Sequence, residues 1–134
     1  VKANKSGRVT ENIVADILRG VDLRFDRQVP VGLSIYEPYM LHADFVVRNL
    51  AAFPQGLAIE SKWQDKSGSV DEKFPYLVMN IQTRYTVPAI VIVAGGSCRL
   101  GALKWLGDQC DGERLVDVFR LEEFISWALR SEKR

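Results

Sequence analysis

The chain has 134 residues, of which 47% are hydrophobic and 26% charged, and its formal net charge is +1. That length can bury a real core and that composition excludes a disordered segment, while no apolar run approaches the roughly 20 residues of a membrane-spanning helix. A near-neutral total neither requires nor excludes a polyanionic partner, because a local basic face can hide within it.

The opening VKANKSGR is polar and basic with no apolar stretch behind it, unlike a secretory signal. A chain that starts with valine reads as processed or as a piece of a longer protein. Residues 7–19 carry Val9, Ile13, Val14, Ile17 and Leu18 at helical spacing, with Ser6 as cap and Gly20 as stop. Residues 22–29 alternate as an outer strand that Pro30 and Gly32 should end. Residues 42–49 form a second strand with Ala43, Phe45 and Val47 on one face and His42, Asp44, Val46 and Arg48 on the other. The loop AAFPQG then leads into GLAIESKWQ at 56–64, so these two strands are expected to be antiparallel neighbours.

In the third strand Leu57, Ile59, Ser61 and Trp63 share a core face, and Ala58, Glu60, Lys62 and Gln64 share the other. The polar loop 65–72 places Ser69 and Glu72 at capping-box spacing. A helix containing Tyr76, Leu77, Met79, Asn80 and Ile81 should follow, with Pro75 in its first turns. Residues 88–94, PAIVIVA, read as a central strand covered on both faces. Gly95, Gly96 and Ser97 make a tight turn into a helix near 98–107 that carries Leu100, Leu103 and Leu106 on one side. A short strand at 115–119 and a helix at 121–130 close the chain, the helix with acids first and bases last as its dipole favours. The whole reads as a single α/β domain, 1–134, with a mixed sheet flanked by helices on both faces.

Cys98 and Cys110 are the only cysteines. If the segment between them is helical they lie about 18 Å apart, beyond the roughly 7 Å that a disulfide spans. Both are read as free thiols of a reducing, cytoplasmic compartment. With one histidine they are too few for a structural zinc site.

Asp44 and Glu60 fall on adjacent strands and on their polar faces, where pairing brings them close. Two neighbouring carboxylates resist ionising together, and a divalent cation removes that cost. Hard oxygen ligands suit Mg²⁺, with Mn²⁺ able to substitute. Lys62, one pleat beyond Glu60, points toward whatever the cation holds, and Gln64 follows at the next position on the same face, placed to hydrogen-bond substrate or a metal-bound water. If the cation holds a phosphodiester, the metal polarises the phosphoryl oxygen and acidifies a bound water, and Lys62 orients that water or offsets the transition-state charge.

These residues resemble the PD-(D/E)XK phosphodiesterases, the superfamily of many restriction enzymes and Holliday-junction resolvases. The pattern is an acid on the second core strand, here Asp44, then Glu-x-Lys on the third, here Glu60-Ser61-Lys62. The element order fits over nearly the whole chain, and GSVDEKFPY at 68–76 is similar to a run that follows the motif in restriction-enzyme-like members. The resemblance implies a restriction-endonuclease-like fold and a magnesium-dependent nuclease, with both acids as metal ligands and the lysine near the scissile phosphate. It further implies Glu11, on the first helix, as an added metal ligand, and Gln64 as a glutamine often found two residues past the lysine. The proline that often precedes the first acid is absent, since Ala43 stands there. Gln82 and Tyr85 are three apart rather than the four of the exonuclease branches, so that branch is not assigned.

Lys66 and Lys73 beside the polar loop, with Arg48 and His42, are candidate contacts to DNA. The competing bland reading makes Glu60 and Lys62 a solvated face paired to Arg48, Asp44 a turn cap, and Trp63, Trp105 and Trp127 packing residues. Three functions are therefore in play. The first is a metal-dependent DNA endonuclease, as a homodimer or as one domain of a larger nuclease. The second is an inactive DNA-binding or assembly module of the same fold. The third is a small nucleotide-binding domain that uses the Gly95–Ser97 turn.

Overall fold

The computed structural model describes residues 5–64, 70–96 and 98–134. In chain order it runs α1 (Lys5–Gly20), β1 (Phe25–Leu33), β2 (Met40–Val47), β3 (Leu57–Trp63), a 3-10 turn (Val70–Lys73), α2 (Phe74–Thr83), β4 (Ala89–Ala94), α3 (Leu100–Asp108), β5 (Leu115–Phe119) and α4 (Leu121–Arg130). The strands lie in sequence order across one five-stranded sheet. The β1–β2 and β2–β3 pairs are antiparallel, and β3–β4 and β4–β5 are parallel. This is the mixed sheet the sequence leads one to expect.

All six residues of β4 are buried, because alternate side chains feed two cores. Ile90 and Ile92 pack with Phe45, Ile59, Val14, Leu18 and Phe124 beneath α1 and α4. Val91 and Val93 pack with Val46, Ala58, Phe74, Val78, Ile81 and Leu106 beneath α2 and α3. Ala43, beyond the last β2–β3 pair, joins this second core rather than the one holding Phe45 and Val47. Among the described residues no helix is long and apolar enough to cross a membrane.

Several expectations are corrected. Pro30 and Gly32 do not end β1. The strand runs through them to Leu33, with a register shift between the two. An edge strand tolerates a proline because the missing N–H would face no partner. In α1 the buried face is Thr10, Val14, Ala15 and Leu18, while Val9 and Ile13 are exposed. Ser6 lies inside α1 rather than before it, and Gly20 is its last residue. Ser69 lies outside the described residues, and Lys73 holds the N-cap position of α2 with Pro75 in the first turn. Trp63 is 36% exposed rather than core, and Leu100 and Leu129 are exposed in the short helices α3 and α4.

Two glycines are required by close approach. Gly95 has φ +89°, and a Cβ there would lie 2.2 Å from the Gln64 carbonyl oxygen. Just past β4 the chain therefore runs against the end of β3, and Ser97 of the expected turn lies outside the described residues. Gly32 has φ +131°, and its Cβ would lie 2.3 Å from the carbonyl oxygen of Arg84. Here β1 meets the end of α2, and the Thr86 N–H donates to the Val31 carbonyl at 2.8 Å. Gly32→Ala is expected to cost more than about 2 kcal/mol. Gly107→Ala, where a Cβ meets nothing within 4 Å, should gain about 0.5–1 kcal/mol. Denaturant midpoints of the two variants against the parent check both signs.

Candidate active site

The β2–β3 ladder holds three pairs, Val47↔Leu57, Val46↔Ala58 and Phe45↔Ile59, and then stops although both strands continue. At the fork, side chains take over the hydrogen bonding. The Ser61 N–H donates to Asp44 Oδ2 at 2.8 Å, and the Asp44 N–H donates to the Glu60 carboxylate. The expected convergence of these two acids on neighbouring strands is therefore built into the end of the ladder.

Glu60 is only 3% exposed. Burial, and then the nearby Asp44 charge, push its carboxyl up from 4.5 to about 7. The Tyr85 hydroxyl donates to Glu60 Oε2 and opposes that rise, while burial and the Glu60 charge hold the Tyr85 phenol protonated. Burial also raises Asp44, against the Lys62 ammonium, the Ser61 N–H and the Gln28 side chain. Glu11, on α1, is raised by burial and by Asp44, and is countered by Arg27, whose Nη2 lies 3.5 Å from Glu11 Oε1. Lys62 acts on all three carboxylates.

His42, Lys62 and Lys73 line one cavity together with Glu60. Gln64 is buried, and its Oε1 accepts the Asp71 N–H at 3.2 Å. Asp71 in turn receives a bidentate pair from Arg99, with Nε at 2.9 Å and Nη2 at 2.8 Å, which holds its carboxyl down near 2. Gln64 thus ties the end of β3 to the start of α3. Lys66 lies outside the described residues.

Arg48 is not brought to this cluster. It follows the Val47↔Leu57 end of the ladder, opposite the fork, and its Nε pairs with Asp26 at 3.0 Å. The bland pairing of Glu60 and Lys62 with Arg48 fails for the same reason, and Asp44 accepts an amide across the fork rather than capping a turn.

Two residues at the site were not singled out from the sequence. Tyr85 follows α2 without any periodic pattern. It is placed by its own N–H to the Asn80 carbonyl at 2.9 Å and by the Arg114 guanidinium on the Ile81 and Tyr85 carbonyls. Gln28 sits opposite Asp44 with φ +52°, a left-handed conformation costly for a residue with a side chain. The weak signal for Tyr85 was its near-match to a glutamine–tyrosine spacing; Gln28 carried none.

Asp44 and Glu60 are hard oxygen donors that repel each other, so the pair fits a small divalent cation completed by water and phosphate oxygens. Among the described residues no group of three or more His, Cys, Asp or Glu side chains could hold a metal ion. Glu11 pairs with Arg27, Nη2 to Oε1 at 3.5 Å.

A family model described as the PD-(D/E)XK nuclease superfamily domain matches residues 2–132. The chain belongs to that superfamily. Searches of curated proteins and of solved structures returned no match. The five-stranded mixed sheet flanked by helices is consistent with the superfamily's restriction-endonuclease-like fold.

The raised Glu60 carboxyl sets a stability prediction. Between pH 4.5 and about 7 the unfolded chain has released this proton and the folded chain has not. The stabilisation is complete below the lower value and lost as pH rises through the upper one. Glu60→Gln should therefore melt several degrees above the parent in metal-free buffer above about pH 7, and level with it below about pH 4.5. Thermal melts across that range provide the check.

Proposed function

We propose that this protein is a metal-dependent endonuclease that hydrolyses DNA phosphodiester bonds, with Mg²⁺ as its cation and Mn²⁺ able to substitute. The observation that carries the reading is the pair Asp44 and Glu60 meeting where the ladder ends, with Lys62 in the field of both. Asp44 and Glu60 would hold the cation, with Glu11 adjoining through the field of Asp44. When bound, a divalent cation supplies charge neutralisation at the phosphate and makes the attacking water more acidic.

The protein's own groups do the rest. Lys62 offsets the charge that gathers on the phosphoryl oxygens in the transition state. The Tyr85 hydroxyl fixes the rotation of the Glu60 carboxylate and favours its charged form. Gln64 holds the strand end that presents Lys62. His42 and Lys73, on the cavity wall, contact the DNA strand, and Lys66 is assigned to the same role from its place in the sequence. Cutting both strands of a duplex calls for two such sites, supplied by a homodimer or a larger nuclease. Free thiols at Cys98 and Cys110 support a cytoplasmic setting.

Asp44→Ala, Glu60→Ala and Lys62→Ala should each lower cleavage by at least about a hundredfold with the circular dichroism spectrum retained. The assay is a panel of duplex, nicked, branched and single-stranded DNA with Mg²⁺ or Mn²⁺. Parent protein that cuts none of these forms overturns the proposal.

Tyr85→Phe removes a donor that favours the Glu60 carboxylate. Activity should fall about 10- to 100-fold, as when a partner of a metal ligand is lost. The acid limb of the pH–rate profile should also move to higher pH, because Glu60 then holds its proton more tightly.

A further inference from the structure

We infer that the cavity beside the carboxylate pair receives one unpaired nucleobase of the strand being cut, so that the preferred substrate is single-stranded DNA or DNA opened at the cut. The inference rests on the function proposed above and names the substrate form for the same site.

The cavity encloses about 300 Å³ between β2, β3 and α2. That is the small end of ligand sites, suited to one flat ring system and closed to a double helix. Glu60 and Lys62 line it, so its occupant lies beside the phosphate site. Leu41, Val70, Phe74 and Leu77 give it an apolar wall. Phosphate chemistry has no use for an apolar wall beside a buried glutamate, whereas a base attached to that phosphate does.

Two further features match a base. Asn80 is 1% exposed and lines the cavity. Its Oδ1 accepts the Ile35 N–H at 2.9 Å, and its amide nitrogen donates to no other described residue. A base carbonyl or ring nitrogen would take that donor. Tyr76 also lines the cavity and stacks on Tyr36, with centroids 5.1 Å apart and planes at 23°. Tyr36 is 64% exposed, so the stacked pair carries the aromatic surface outward from the cavity. His42 and Lys73 bring polar and cationic groups for the flanking backbone. A base enters such a chamber only after leaving its stack, and that costs least when it is already unpaired.

Binding without turnover tests the idea. In chelator, fluorescence anisotropy compares labelled oligothymidylate, a deoxyribose-phosphate strand of equal length without bases, and a paired duplex. The parent should bind the base-bearing strand about tenfold or more tighter than the base-free one, and tighter than the duplex. Tyr76→Ala and Leu77→Trp should bring the first ratio to within about twofold while the affinity for the base-free strand is unchanged. Tyr76→Ala, at a more open position, keeps the test valid if Leu77→Trp does not fold. Equal parent affinity for base-bearing and base-free strands, a preference for duplex, no binding of any strand, or a preference that survives both variants overturns the inference. Cleavage of duplex with any of these results leaves the nuclease proposal standing. A base preference lost in the variants, with no cleavage of any DNA, leaves this inference standing and removes the other.

Discussion

The fold and the chemistry meet in one arrangement: a β-ladder ends early, and carboxylates accept the backbone amides it leaves behind. A buried N–H without an acceptor costs about as much as a lost hydrogen bond. At the fork the Ser61 and Asp44 amides find theirs in Asp44 and Glu60. The acids thereby gain a structural duty that fixes their positions relative to each other. That duty creates a conflict. Good acceptors are charged, yet two charges in a half-buried space raise each other's proton affinity. Lys62, Gln28 and the Tyr85 hydroxyl each answer part of it, from three different elements.

The rest of the fold keeps those three elements in place. Glu60 is paired with Val91 on the other side of β3, against a strand whose every residue is buried. Tyr85 is held where α2 ends, with β1 packed so closely at Gly32 that only a hydrogen fits. Arg114, just ahead of β5, clasps the same helix end. At the far end of β3, Gln64 is locked through Asp71 to Arg99, and Gly95 crosses over its carbonyl. Rigid support of this kind is what a site with little tolerance for misplacement needs.

The sequence was legible where its patterns are local. β5 and α4 fall at 115–119 and 121–130, as read from the residues, because apolar spacing and charge order both mark them. The continuous run of β4 announced a strand covered twice. Asp44, Glu60 and Lys62 were legible because alternation fixes a face and the hairpin fixes a neighbour. Residues joined only by the tertiary fold were not. Tyr85 reaches Glu60 across 25 positions from a stretch without periodicity. Gln28 matters through a backbone conformation that no pattern marks. Arg48 shares an alternation face with Asp44 but lies at the other end of the ladder, a distinction that requires the register. Apolar spacing also overstated burial at Val9, Ile13 and Leu129, since a helix lying on a sheet covers a narrower stripe than spacing alone implies.

Several departures from ordinary sheet rules lie around the fork, besides a register shift between Ala89 and Ile90 in the β4–β5 pair. β1 carries a left-handed Gln28 and a register shift between Pro30 and Gly32, and β2 leaves its partner. β3 buries a glutamate and leaves Ser61 Oγ without a hydrogen-bond partner among the described residues. The Phe45–Val47 and Leu57–Ile59 stretches, by contrast, pair and pack as their alternation dictates. A chain selected for stability alone has no reason to gather a strained backbone, a buried acid and an idle hydroxyl around one point. Each is tolerable because the two apolar cores lie to either side, and each changes what the fork presents: Gln28 its amide to Asp44, the parted strands their acids to each other. Local disobedience surrounded by a largely compliant sheet is how a fold this small accommodates a reactive centre.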